Sequence, residues 1–335
     1  MRFIVLMSVK IKFLAFIDGD VMILSAMRAN IGKAAMMIRM GGLVAFPTET
    51  VYGLGASIRN SRAVAAIFEA KGRPTFNPLI THIAEAEQMN EFAVPDSRAV
   101  FLAQKFWPGP LTFVLQRKPQ QAFLDLVCAG LPTMTIRCPN HPVALELIER
   151  AGVPIAAPSA NRSQTLSPTT AEAVWKSLDE RVDIILDGGA CSVGVESTIL
   201  DLTTPQAVIL RAGGITKEDL EDALQETVYF SDGNPDKPTS PGQLSRHYAP
   251  AKTFRINVTD PRPDELFIAF GSGFNGAQLN LSPQGDLREA AANLFAFMRA
   301  ADENKKFNAI AMAPIPMEGL GVAINDRIKR ASRRA

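Results

Sequence analysis

Cysteine is scarce: Cys128, Cys138 and Cys191 are the only three in 335 residues, with no CxxC pair among them. That excludes a disulfide framework and argues against a structural zinc site, which fits a reducing compartment. Histidine is equally sparse, and His82, His141 and His247 stand far apart with no HExxH pattern. No GxxxxGK[ST] loop, strand-placed GxGxxG or GxSxG elbow occurs, so P-loop, dinucleotide-fingerprint and serine-hydrolase readings find no support. Neither charge sign dominates, since 35 Lys and Arg against 34 Asp and Glu leave a net charge of +1. A histone-like polycation is excluded, but a local basic pocket is not. Glycine and proline, 23 of each, are near average, which rules out collagen-like or disordered composition. Long uncharged runs are missing too. The apolar stretch 1–27 is split by Lys10 and Lys12 and closed by Asp18 and Asp20. It suits neither a membrane anchor nor a signal peptide. It reads as an atypical, dispensable extension: an extra strand, or an upstream start with Met22 or Met27 beginning the natural protein.

What is present is 47% hydrophobic sequence, enough for two ordinary domains. Short apolar runs at 43–46, 79–83, 111–115, 133–137, 153–157, 183–186, 197–202 and 207–210 read as strands. Between them, helices are expected at 61–71 (capped by Ser61), 96–106, 141–151 and 168–178. Thr216 with Asp219 forms a capping box for a further helix ending at Leu224. The stretch 231–246 is polar and rich in Gly and Pro, as a linker is. Beyond it, apolar runs at 254–258, 266–270 and 309–313 with helices at 286–301 and 321–332 suggest a second, smaller α/β domain.

Four polar clusters interrupt this apolar pattern. Pro47-Thr48-Glu49-Thr50-Val51-Tyr52-Gly53-Leu54-Gly55 follows a strand, where open α/β sheets bind ligands. Lys71-Gly72-Arg73-Pro74 and then Asn77-Pro78 hold an extended chain that aims Arg73 and Asn77 at one spot, near His82. Alternation puts Thr133, Thr135 and Arg137 on one strand face, and an inward arginine needs an anionic partner. Pro158-Ser159-Ala160-Asn161, with Ser163 and Ser167, offers the donors of a phosphate-holding turn. Last come Gly194-Val195-Glu196-Ser197-Thr198 and Arg211-Ala212-Gly213-Gly214. The inventory is one lysine, several arginines and many hydroxyls. Such a site grips phosphate and carboxylate and catalyses by positioning and charge stabilisation.

In this order, the strings PTETVYGLG (47–55), KGRPTFNPL (71–79), TIR (135–137), PSAN (158–161), GVESTI (194–199) and LRAGG (210–214) resemble the threonylcarbamoyl-AMP synthase family. SPGQLSRHYAP (240–250) and GLGVAINDRIKRA (319–331) resemble the linker and C-terminal domain of its long form. The resemblance covers residues 28–335. It implies an open twisted mixed α/β sheet with a charged concave pocket at 28–230, a linker or lid at 231–250, and a smaller Rossmann-like domain at 251–335. It also implies a cytoplasmic enzyme, without a membrane association, that joins L-threonine, bicarbonate or CO2, and ATP into threonylcarbamoyl-AMP and pyrophosphate. The product would serve the threonylcarbamoyladenosine modification of tRNA beside the anticodon, by handover to the transferase complex that acts on tRNA, any direct tRNA contact being weak.

By the same resemblance, L-threonine meets Thr50, His82, Arg137, Ala157 and Ser197. ATP meets Lys71, Arg73, Asn77, Thr133, Ser159, Asn161, Ser167, Arg211 and Tyr248. Lys71, Arg73 and Arg211 act by charge stabilisation with no covalent nucleophile. Mg2+ arrives with ATP, with no protein ligand expected. The linker is expected to order only when nucleotide binds, with Tyr248 closing over it. Two other readings use the same residues. One is a non-catalytic RNA-binding module whose pocket cations hold RNA phosphates, although a near-neutral chain with a basic tail of Arg327, Lys329, Arg330, Arg333 and Arg334 argues for at most modest RNA affinity. The other is a carbamoyl-adenylate-forming domain, which the absence of CxxC pairs disfavours.

Overall fold

The computed structural model describes residues 22–119, 121–232, 240–242, 247–274 and 276–333. Its larger sheet contains twelve strands among the described residues. These are β1 (Met22–Ser25), β2 (Val44–Phe46), β3 (Gly53–Ser57), β4 (Ile80–His82), β5 (Ala93–Val94) and β6 (Leu111–Arg117). They continue with β7 (Thr133–Arg137), β8 (Ile155–Ala156), β9 (Ile184–Asp187), β10 (Thr198–Asp201), β11 (Val208–Arg211) and β12 (Tyr229–Phe230). The order is β1-β9-β2-β3-β8-β4-β7-β6-β10-β11-β12, with β5 added on β6. Parallel and antiparallel pairs alternate irregularly, giving the open, twisted mixed sheet expected. Around it pack α1 (Arg28–Met40), α2 (Ser61–Lys71), α3 (Met89–Phe92), α4 (Ser97–Phe106), α5 (Pro142–Ala151), α6 (Ala171–Leu178) and α7 (Lys217–Leu224).

Local chemistry sets the helix ends. Asn60, not Ser61, caps α2, its side chain accepting from the N–H groups of Arg62 and Ala63. Both residue types favour this role, and the helix begins at Ser61 itself, one residue earlier than a Ser61 cap would allow. Gly72 closes α2 in the left-handed region at φ 60°, turning the chain sharply toward Arg73. Thr216 and Asp219 form the anticipated capping box of α7. Strand β3 was hidden in the sequence because its glycines read as a turn. A Cβ on Gly55 would stand 2.7 Å from the Phe46 ring and 2.8 Å from Ile155, so only glycine lets β2, β3 and β8 approach this closely.

Part of the segment read as an atypical extension belongs to the fold. Strand β1 pairs in parallel with β9, Met22 to Ser25 against Ile184 to Asp187, because its apolar residues find a free sheet edge. Residues 1–21 lie outside the described residues. The three cysteines are free and buried, and burial pushes the Cys128 thiol up to about 11 and those of Cys138 and Cys191 up to about 12. They are packing groups rather than thiolates.

The second sheet is all parallel, in the order β13 (Thr253–Arg255), β16 (Ala309–Met312), β14 (Glu265–Ala269), β15 (Leu279–Asn280). Its helices are α8 (Leu287–Glu303) and α9 (Leu320–Ala331). Leu294, Phe295 and Met298 of α8 and Ile324 and Ile328 of α9 fill its core. That core does not stop at the domain border, since it takes in Val51, Leu166, Val195 and Tyr248. Gly194, at φ 75°, lies so close to α8 that a Cβ would meet the Ala291 carbonyl at 2.3 Å. Among the described residues, no helix is long and apolar enough to cross a membrane.

Of the linker, residues 233–239 and 243–246 lie outside the described residues. Tyr248, expected to close over nucleotide, also has packing partners within the protein. Its ring is buried, 5.5 Å from that of Phe295 and beneath the Arg327 guanidinium at 5.4 Å. Contacts from the second domain hold it in place, a source that linker composition alone does not reveal.

Candidate active site

A cavity opens where the polar clusters converge. Its walls come from the turn after β2, the start of β3, β4, the end of β7, the turn after β8, the residues before β10, the end of β11, and the linker. Of the residues singled out in the sequence, Thr50, Arg73, His82, Arg137, Ala157, Ser159, Ser197, Arg211 and Tyr248 line it. Lys71, Asn77, Asn161 and Ser167 are buried but outside its lining. Thr133 is half-buried at the start of β7 and also does not line it.

One side of the cavity centres on Arg137. His82 and Arg137 are register partners on parallel strands β4 and β7, so they face the same region. Arg137 donates through Nη1 to the Thr50 hydroxyl at 2.9 Å and through Nε to the Gly109 carbonyl at 3.1 Å. Its Nη2 stands 2.7 Å from Glu49 Oε1, an ion pair whose atoms are out of line for a hydrogen bond. The anion that an inward arginine demands is thus supplied first by Glu49. Thr48 shapes the turn by donating to the Val51 carbonyl at 2.7 Å and accepting from the Thr50 and Val51 amides. Burial, then the nearby Arg137, lowers the His82 pKa to about 3, so this imidazole is neutral. Its Nδ1 lies 3.3 Å from the Ile80 carbonyl.

The other side is cationic. Arg73 is fixed by donating to the carbonyls of Asn77 at 3.2 Å and Pro78 at 2.9 Å. Arg211 donates to the Ser197 carbonyl through Nε at 3.1 Å and Nη2 at 2.9 Å, and to its hydroxyl at 3.1 Å. Burial first, and then proximity to Arg211, disfavours the charge on Arg73. Burial likewise dominates at Arg211. Two such guanidiniums with neutral backbone partners are incomplete without an anion between them. Lys71 is held behind the cavity, its ammonium donating to the carbonyls of Ser159, at 2.5 Å, and Asn161. Burial and then Arg73 lower its pKa well below the ordinary lysine value. Lys71 therefore ties down the turn that presents Ser159.

Asn77 keeps both side-chain polar atoms buried and without a hydrogen bond, and Asn161 its Oδ1. The other Asn161 bonds run from Nδ2 to the carbonyls of Arg162 and Thr165, both at 2.9 Å. Ser167 donates to Glu196 Oε1 at 2.5 Å.

Glu49, Glu196, Thr48, His247 and Arg327 were not among the expected site residues. The first two had a signal, because each sits inside a recognised string and a buried arginine needs a carboxylate. Arg327 had none. It reads as one cation of a basic tail, yet it is fully buried and paired with Glu196 at 2.9 Å. This corrects the basic-tail reading at Arg327, because a buried, paired guanidinium offers nothing to an RNA backbone. Lys71, Arg73, Arg137 and Arg211 are buried as well, which disfavours the RNA-binding alternative.

Glu196 at the cavity and Glu49 beside it each face an arginine, and no group of three or more His, Cys, Asp or Glu side chains forms a metal centre among the described residues.

Residues 36–213 match the family model described as telomere recombination, and residues 215–333 match that described as threonylcarbamoyl-AMP synthase, C-terminal domain. The threonylcarbamoyl-AMP synthase of Bacillus subtilis (strain 168) is 42% identical over 330 residues, spanning 92% of this chain and 94% of its own. That of Pyrococcus abyssi (strain GE5 / Orsay) is 41% identical over 322 residues, spanning 89% and 93%. The crystal structure of P. abyssi Sua5 complexed with L-threonine is similar at a TM-score of 0.83, with 38% identity over 93% of this chain and 97% of that one.

Proposed function

The chain belongs to the threonylcarbamoyl-AMP synthase family, and from that premise we propose that it is an ATP-using nucleotidyltransferase that makes threonylcarbamoyl-AMP. The substrates are L-threonine, bicarbonate or CO2, and ATP, and pyrophosphate leaves. The observation that carries this reading is the pairing, within one cavity, of an Arg137–Thr50 corner with the buried Arg73–Arg211 pair.

The threonine carboxylate is met by Arg137 and Thr50, with His82, the backbone at Ala157 and Ser197 around it. Its amine combines with CO2 to give a carbamate, a weak and short-lived nucleophile. A carbamate oxygen attacks the α-phosphorus of ATP, and the bond from that phosphorus to the pyrophosphate oxygen breaks. No protein nucleophile is needed, in accord with the missing triad. Arg73 and Arg211 offset phosphate charge, with Ser159, Asn77, Thr133, Asn161, Ser167 and Tyr248 completing the nucleotide side. Lys71 contributes its charge from behind the Ser159 turn. Mg2+ accompanying ATP would supply further charge neutralisation. Neutral His82 neither repels the threonine amine nor competes for its carboxylate.

The same reading makes the protein a cytoplasmic source of an unstable mixed anhydride, passed to the threonylcarbamoyl transferase complex that modifies tRNA beside the anticodon. The decisive experiment incubates purified protein with ATP, Mg2+, threonine and bicarbonate and looks for threonylcarbamoyl-AMP by mass spectrometry. Pyrophosphate release should depend on both threonine and bicarbonate. Release that ignores either one overturns the proposal.

A further inference from the structure

Arg327 lies on α9 in the second domain, more than a hundred residues from every wall of the cavity except the linker. It is fully buried, and its contacts fall on both sides of the nucleotide-facing Arg211. Through Nε it holds Glu196 Oε2 at 2.9 Å, on the residue just before Ser197. Through Nη1 it donates to the Ala212 carbonyl at 2.6 Å, on the residue just after Arg211. Ser197 is the residue whose carbonyl and hydroxyl orient Arg211. One guanidinium therefore ties together the two strand ends that aim Arg211.

Further contacts tighten this arrangement. A Cβ on Gly213 would meet the Glu196 carbonyl oxygen at 2.3 Å, so the segments around residues 196 and 213 already touch. Ser167 occupies the other oxygen of Glu196. The same guanidinium lies over the Tyr248 ring at 5.4 Å, within range of a cation–π contact. Arg327 does not line the cavity, so it does not touch substrate there.

We propose that Arg327 is a positioning residue by which the second domain sets the nucleotide side of the cavity, acting through Glu196–Ser197, Arg211 and Tyr248. This rests on the proposed function only in taking the Arg73–Arg211 side as the place for ATP. Lysine at this position keeps a positive charge but lacks the planar fork that holds Glu196 and the Ala212 carbonyl through separate nitrogens.

The test measures ATP affinity by calorimetry and steady-state pyrophosphate release for the full chain, Arg327→Lys, Arg211→Lys and the double variant. Arg327→Lys is expected to weaken ATP binding tenfold or more while the threonine KM changes less than twofold. In the Arg211→Lys background the same change should cost less than threefold, because its effect passes through Arg211. Unchanged ATP affinity, equal losses for both substrates, or full additivity in the double variant overturns the inference. If Arg327→Lys does not give a cooperative thermal transition, Glu196→Gln is judged by the same split between ATP and threonine. A parent chain that binds ATP but makes no threonylcarbamoyl-AMP refutes the proposed function while leaving the ATP-affinity test of Arg327 intact.

Discussion

At the scale of single residues, the cavity is governed by which buried charges have partners. Arg137 is shared among Glu49, Thr50 and the Gly109 carbonyl. Replacing it with alanine strands Glu49 in the interior, at a cost of about 3–5 kcal/mol, and confuses stability with binding. Arg137→Lys keeps a charge opposite Glu49 but loses the fork. It should raise the threonine KM about tenfold or more, as expected for loss of a charge-assisted contact, and leave the ATP KM within about threefold. Steady-state pyrophosphate release with each substrate varied in turn decides this, and equal damage to both KM values would remove Arg137 from the threonine site. The histidines make a separate prediction. Burial holds both His82 and His247 at a pKa of about 3, against 6.5 in the unfolded chain. Above 6.5 neither state is protonated at these positions, so they add no pH dependence there. As the pH falls below 6.5 the unfolded chain takes up protons and the folded one resists until about 3, so stability is lost across that window. At pH 5 each histidine should account for about 2 kcal/mol of that loss. Denaturant titrations of the parent and His82→Gln should show a shallower decline between pH 7 and pH 5 in the variant; parallel curves would show that His82 is not held neutral.

At the scale of elements, β1 offers the clearest test of how the sheet begins. It pairs with β9 alone, and Met22 and Ile23 stay half exposed, so it contributes an edge ladder rather than core. Removing residues 1–21 should leave thermal stability and activity unchanged. Removing residues 1–27 should cost about 1–2 kcal/mol, from ladder bonds of about 1 kcal/mol or less each, without altering either KM. Thermal melts with parallel kinetics distinguish the two, and a KM change in the longer truncation would mean that β1 shapes the cavity through β9 and β2. This strand also illustrates what the sequence conceals. Helices α2, α5 and α7 were legible because caps and closing glycines are local chemistry, encoded within a few residues. Strands β2, β4, β7 and β10 were legible as short apolar runs. Strand β3 was not, because its glycines answer to Phe46 and Ile155, which lie elsewhere in the chain. The site shows the same division. Residues such as Thr50, Arg73 and Ser197 were legible from short strings near strand ends, whereas the partner of Arg327 depends on packing between domains.

At the scale of the whole molecule, the interior is built around unbalanced charge. Arg73, Arg137, Arg211 and Arg327 are buried around the cavity, with Glu49 and Glu196 as the buried carboxylates that pair with Arg137 and Arg327. The excess of cations has to be offset by an anion, so ATP with Mg2+ should raise the melting temperature, by an amount equivalent to about 2.7 kcal/mol at a hundred times its dissociation constant. Tyr248 shows how the second domain takes part. A flexible lid would allow its ring to be deleted with little effect on the fold. Here the ring is a packed member of the second domain's core, against Phe295 and Arg327, on a backbone at φ 60°. Tyr248→Ala should therefore lower stability by about 3–5 kcal/mol as well as weaken ATP binding, since it opens a cavity between the domains. Tyr248→Phe keeps the ring and should stay within about 1.5 kcal/mol of the parent, as volume-conserving exchanges do. The pair separates a packed wall from a mobile lid: a wall couples the loss of ATP affinity to the loss of stability, and a lid does not. A Tyr248→Ala protein that melts like the parent yet fails to retain ATP would mean that the ring is held by nucleotide after all, rather than by the domain beneath it.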